Sequence, residues 1–183
     1  MKAKWEILLL LIGFVILLLI VVLIAALISW PIVGGETNLS EAVFDFWSLG
    51  HLLAGMGIYM FIFTVYFIVK NVIDEPGEPP GIETPSAKNI RISWLITLGA
   101  AIIWEILENT LLYFVGIKAK FDSIINASSD IIIWGIGGLG AWYLTHLMFV
   151  SKDNVHAYYL FAIINIAAFF VVFILFGYMT FNL

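Results

Sequence analysis

Three carboxylic acids, Glu105, Glu108 and Asp130, stand inside long apolar stretches of a 183-residue chain. An ionised group at the centre of a bilayer costs about 2.5–3.5 kcal/mol, so acids placed there face protein or water and often mark a functional site. Their neighbours follow helical spacing. Glu105, Glu108 and Asn109 fall at i, i+3 and i+4, which puts them on one stripe of a helix. Asp122, Asn126 and Asp130 fall at i, i+4 and i+8, with Ser129 beside them, and Asp45, Ser48 and His51 at i, i+3 and i+6. One histidine among carboxylates and amide oxygens suits Mg²⁺, Mn²⁺, Ca²⁺ or Fe²⁺ better than a soft metal. The same groups suit general acid–base chemistry. Glu105, Glu108, His51 and Asp130 are therefore the expected catalytic groups or divalent-cation ligands. Ser48, Asn109, Asp122, Asn126 and Ser129 are expected to orient them. No lysine or arginine is expected inside a span, and His51 is the one cationic side chain expected at that depth. The acids should then be protonated, hydrated or neutralised by a bound cation. Against these readings stands a plainer one, in which protonated acids only hydrogen-bond one helix to another.

The elements that carry these stripes follow from composition. Hydrophobic residues make up 63% and charged residues 11% of the chain, against about half and a quarter in soluble domains. Mean hydropathy is +1.08. A bilayer core about 30 Å thick takes about 20 helical residues. Five segments qualify, at about residues 7–28, 48–69, 92–116, 124–150 and 157–178. The expected architecture is all-α, a single membrane domain of five transmembrane helices. Trp5, Trp30, Trp47 and Trp94 are expected at interface depth. Lys2 and Lys4 would suit a signal peptide, but the apolar run is too long and lacks a small-residue cleavage site, so a retained helix is expected. Residues 71–91, with Pro76, Gly77, Pro79, Pro80 and Gly81 in close succession, read as a solvated loop. The net charge of −5 offers no basic patch for nucleic acid, and the absence of cysteine removes disulfides and thiolate chemistry.

Orientation follows from the basic residues. Lys2, Lys4, Lys70, Lys88, Arg91 and Lys152, six of the eight, fall on one side and only Lys118 and Lys120 on the other. The amino terminus and the 71–91 loop are thus expected in the cytoplasm and the carboxyl terminus outside, in a multi-pass protein of the cell membrane. Counted from the outer ends at 1.5 Å per residue, His51 lies about one turn deep, Asp130 about 9 Å, Glu108 about 13 Å and Glu105 about 18 Å. Three polar stripes thus converge on the outer half of the bilayer. Gly135, Gly137, Gly138 and Gly140, inside an apolar span, read as small-residue helix packing rather than a phosphate cradle. Gly50, Ala54 and Gly57 read the same way. Trp104 and Trp134 are expected to fill space or wall a pocket, and Asn165 to bond one helix to another.

Ser48-x-x-His51 followed by Gly55, then Trp104-Glu105-x-x-Glu108-Asn109, then Asp122-Ser123-x-x-Asn126-x-x-Ser129-Asp130 occur in that order. Over about residues 45–145 the chain resembles the uncharacterised bacterial membrane-protein family known as domain of unknown function 2585, and more distantly VanZ-like membrane proteins. The resemblance implies a histidine, a W-E-x-x-E-N helix and an Asp/Asn/Ser-Asp helix around one site, but no assigned activity. The family pattern has a second histidine where this chain has Ala54. Three function classes stay open. The leading one is an integral membrane enzyme, or enzyme-like binding protein, acting on a lipid or lipid-linked substrate. The others are an accessory subunit of a membrane complex or homo-oligomer, and a transporter of protons, cations or small solutes.

Overall fold

The computed structural model describes residues 40–41, 43–45, 47–69, 87–118, 120–151 and 154–182, and within them the side chains outside 87–90, 149–151 and 178–182. Every regular element among these residues is helical: α1 (Trp47–Ile68), α2 (Ala87–Leu107), α3 (Ile124–Thr145) and α4 (Val155–Asn182). A π-helical turn, Glu108–Leu112, extends α2, and another, His146–Ser151, extends α3. Four stretches, Trp47–Ile68, Arg91–Leu112, Ile124–Met148 and Val155–Gly177, are long and apolar enough to cross a membrane. They are the expected second to fifth spans. The expected first span, 7–28, and loop residues 71–86 lie outside the described residues. Residues 87–91, expected in the loop, belong instead to α2. The last loop proline is Pro85, and from Ala87 to Leu98 no proline or glycine interrupts the amide ladder.

The helices start where the polar residues allow. Ahead of α1, the Asp45 amide donates to Ser48 Oγ and the Ser48 amide to Asp45 Oδ1, both at 3.1 Å, the reciprocal arrangement of a capping box. Ser123 caps α3 by accepting the Asn126 amide at 3.0 Å, and Asn154 caps α4 by accepting the Ala157 amide at 3.0 Å. Hydroxyls within the spans turn back on their own helix. Thr64 donates to the Met60 carbonyl and Thr97 to that of Ser93, each at 2.9 Å, which satisfies a group that lipid would not.

Helices α1 and α3 form the closest pair. Glycine makes this possible. A Cβ at Gly55 would run into the Trp134 backbone carbonyl, and one at Gly137 into that of Leu52, so the two backbones touch as small residues permit in membranes. Gly135 and Gly138 face α2, where a Cβ would come within 2.8 Å of Leu98 and 3.2 Å of Thr97. Trp94 was expected only as an interface anchor. It is half-buried and its Nε1 donates to the Gly135 carbonyl at 3.0 Å, tying α2 to α3. On the other side α4 packs on α1: Tyr158 donates to the Met60 carbonyl at 2.7 Å. Asn165, as expected, bonds between helices, donating to the Leu53 carbonyl at 3.1 Å. Leu53, Tyr59 and Phe161 fill the core between these helices, while Phe61, Ile103 and Ile174 lie exposed on outward faces that suit acyl chains.

Two substitutions test the backbone contact. Gly55→Ala and Gly137→Ala should each destabilise the protein by about 1–3 kcal/mol in detergent thermal unfolding, since backbone cannot yield as a side chain does. Gly140→Ala, whose added methyl meets nothing within 4 Å, should be neutral or stabilise by up to about 1 kcal/mol. Equal effects at all three positions would contradict the packing described.

Candidate functional site

Residues near the start of α1, the end of α2 and the start of α3 build a polar cluster in two layers, an inner one around His51 and an outer one toward the α2–α3 connection. In the inner layer His51 from α1 stands between Glu105 of α2 and Asp130 of α3. His51 Nδ1 lies 4.0 Å from Glu105 Oε1 and Nε2 lies 3.6 Å from Asp130 Oδ2. All three side chains are buried: His51 is 8%, Glu105 6% and Asp130 2% exposed. Trp134, expected as filler or a pocket wall, is such a wall, its ring 5.9 Å from the imidazole. Glu105 Oε1 and Asp130 Oδ1 are buried without a hydrogen-bond partner among the described residues. Such atoms are rare in folded proteins and need a reason.

The outer layer accounts for Glu108, Asn109 and Asp122. Lys118 reaches back from the connection between α2 and α3, donating to Glu108 Oε1 at 3.0 Å and pairing with Asp122. His51 is therefore not the only cation at this end of the bundle, as the residue types inside the spans alone suggested. The correction has a geometric source. Helical structure runs through Phe114 and then gives way to a turn at Val115 and Gly116, whose φ of +75° suits glycine. The Lys118 amide then donates to the Leu112 carbonyl at 3.1 Å, folding the connection back over the site. Burial opposes the Lys118 charge, but Glu108 and Asp122 outweigh it and hold its pKa above the usual lysine value. Counted from Phe114, Glu105 lies about 14 Å back along the helix, nearer its end than the sequence count.

Asn109 clips the layers together. Its amide nitrogen donates to the Glu105 carbonyl at 3.0 Å and to Asp122 Oδ2 at 2.9 Å, with a longer 3.4 Å approach to Glu105 Oε2. Its oxygen accepts the Asp122 amide at 2.8 Å. This clip falls in the π-helical turn, a feature frequent at functional sites. The remaining sequence-derived residues anchor the chain ahead of α1. Ser129 donates to the Val43 carbonyl at 2.5 Å and to that of Asn126 at 2.7 Å. Asn126, 1% exposed, approaches Asp45 Oδ2 at 3.4 Å. Ser48 bonds to Asp45 rather than to His51. Of the nine residues expected at the site, His51, Glu105 and Asp130 meet directly. Glu108, Asn109 and Asp122 form the lid-like outer layer, and Ser48, Asn126 and Ser129 hold Asp45 and Val43 against it. Lys118 is the residue that motif spacing passed over. Its separation from Asp122 by one helical turn length was the available signal.

Two sets of atoms lie close enough to share a metal ion: His51, Glu105 and Asp130, and Glu105, Glu108 and Asp122. Within each set one donor atom per residue lies within 4.8 Å of the others. Glu105 belongs to both.

Burial raises the Asp45 carboxyl above the usual aspartate pKa, against the lowering effect of the Ser48 amide and the Asn126 side chain. The folded chain thus holds that proton more tightly than the unfolded chain. Its contribution to stability is present at low pH and declines as pH rises from the ordinary aspartate pKa through the raised one. Asp45→Asn keeps an equally good cap. Measured by thermal unfolding between about pH 4 and pH 8, its stability relative to the wild type should improve steadily with pH. A difference constant across that range would contradict the burial of an ionisable Asp45.

Compared with known proteins, the chain matches no family model, no curated protein and no solved structure, so a functional reading rests on the residues themselves.

Proposed function

We propose that the chain is a five-span protein of the cell membrane that performs acid–base chemistry on a lipid or lipid-linked substrate, with its amino terminus in the cytoplasm and its site in the outer half of the bilayer. The observation that carries this is the His51, Glu105 and Asp130 group. It is assembled from three membrane-span helices and holds two buried carboxylate oxygens without a partner. A carboxyl group that served only to bond helices together would gain most with its oxygens paired, and here three titratable side chains converge with two of those oxygens open. His51, with one nitrogen toward each acid, is placed to carry a proton between Glu105 and Asp130. Membership of the family that the three motifs resemble belongs to the same proposal.

Placement favours a lipidic substrate. The site lies between helices whose outward faces are apolar, and an acyl-chain-bearing molecule enters such a site sideways from the bilayer. Against transport, the stretch of α3 beyond Asp130 is closed by the contacts of Gly135 and Gly137 with neighbouring helices, which leaves no room for a polar path there.

The test is conversion of lipid in reconstituted vesicles. Protein in vesicles of a bacterial polar-lipid extract, supplemented with an isoprenoid-linked pyrophosphate, is followed by lipid mass spectrometry beside Glu105→Gln. A product formed by the wild type, and at least about 100-fold more slowly by the variant, is expected for loss of a general acid–base group. Unchanged lipids in the wild type, or full conversion by the variant, would overturn the proposal.

A further inference from the structure

The inner and outer layers differ in one respect that electrostatics makes decisive. In the outer layer the Lys118 ammonium already stands between Glu108 and Asp122. In the inner layer two carboxyl groups face one imidazole, each with an oxygen that has no hydrogen-bond partner among the described residues. The separations from His51, 3.6 and 4.0 Å, exceed hydrogen-bond lengths of about 2.7–3.2 Å. One donor atom from each of the three residues lies within 4.8 Å of the others, which suits donors sharing one ion at about 2.0–2.5 Å from each.

We propose that His51, Glu105 and Asp130 bind one divalent cation, and that Lys118 stands where a second would otherwise bind between Glu108 and Asp122. The ion's binding rests on the geometry alone; its role rests on the acid–base reading, with a water on the ion taking the proton-transfer work that His51, Glu105 and Asp130 would do without it. Charge selects the valence. Two ionised carboxylates and a neutral imidazole around a doubly charged ion sum to zero, the state that burial tolerates best, whereas a monovalent ion leaves a buried negative charge. Two oxygens and one imidazole nitrogen favour Mn²⁺, Mg²⁺ or Fe²⁺ over thiophilic metals. An octahedral ion held by three protein donors keeps three positions for water or an oxygen of the substrate. The imidazole offers the ion one nitrogen and turns its other N–H toward a carboxylate, as histidine ligands commonly do.

The count of one follows from Lys118. Glu105, Glu108 and Asp122 have the spacing of a second ion site, and Glu105 would bridge the two. With the ammonium in place, a second divalent ion would meet a fixed positive charge at the donor atoms it needs.

The experiment uses full-length protein in detergent, washed with chelator and titrated with Mn²⁺, with free Mn²⁺ read by electron paramagnetic resonance. The wild type should bind one Mn²⁺ per chain. Asp130→Asn and His51→Gln should each weaken binding at least tenfold while retaining wild-type helicity, and two variants guard against one that misfolds. Lys118→Met should bind two Mn²⁺ with the line broadening of a coupled pair. No binding by the wild type, or binding unchanged in both Asp130→Asn and His51→Gln, would overturn the site. A single Mn²⁺ in Lys118→Met would overturn the role given to Lys118. Lipid conversion by chelator-washed protein that binds no Mn²⁺ would overturn this inference and leave the acid–base reading standing.

Discussion

Two carboxyl groups buried around a single imidazole, with no lysine or arginine paired to them among the described residues, set the constraint on which this end of the bundle depends. Taking one ion out of water costs several kcal/mol even after relaxation. A pair facing each other adds repulsion that a low dielectric magnifies. Packing has to hold them there, and the surrounding contacts do so. Glu105 is fixed by Asn109, Asp130 sits one residue beyond the Ser129 anchor, and Trp134 closes the wall beside His51.

That arrangement is reached through backbone proximity. His51 and Asp130 lie across the α1–α3 interface, and this interface is as close as it is because Gly55 and Gly137 carry no side chain. A single methyl at either place pushes α1 from α3 and opens the distance from imidazole to carboxyl. Packing in the middle of the bundle and chemistry at its end are therefore one problem. The outer layer solves the complementary one, since Lys118 balances Glu108 and Asp122 and leaves the charge deficit confined to the inner group.

Much of this was legible in residue types and spacing. Apolar runs located the four described spans to within a few residues, because length in lipid is set by the bilayer. The i, i+3 and i+4 pattern put Glu105 and Asn109 on one stripe, and Gly135, Gly137 and Gly138 of α3 read correctly as packing, whereas Gly140 meets no neighbour. What spacing could not convey was how the chain leaves a helix. The π-helical turn sets Asn109 against Asp122, and the bend at Gly116 returns Lys118 to the site. Each depends on backbone hydrogen bonds such as that from the Lys118 amide to Leu112, which no side-chain pattern records. Ser48 and Asn126 were placed near the site by spacing, but both bond to Asp45, because capping the buried start of α1 outweighs reaching for His51. The first span and the proline-rich loop, residues 7–28 and 71–86, lie outside the described residues, so those expectations stand as sequence readings.

The central claim is that Glu105 and Asp130 share one site and one charge deficit. A double-mutant cycle of Glu105→Gln and Asp130→Asn, followed by reversible thermal unfolding in detergent without added metal, tests it most directly. Removing either acid relieves the other, so the double variant should change stability by less than the sum of the two single changes, with a coupling above about 0.5 kcal/mol. Additivity within that margin would mean that the two acids do not feel each other, and would contradict the account.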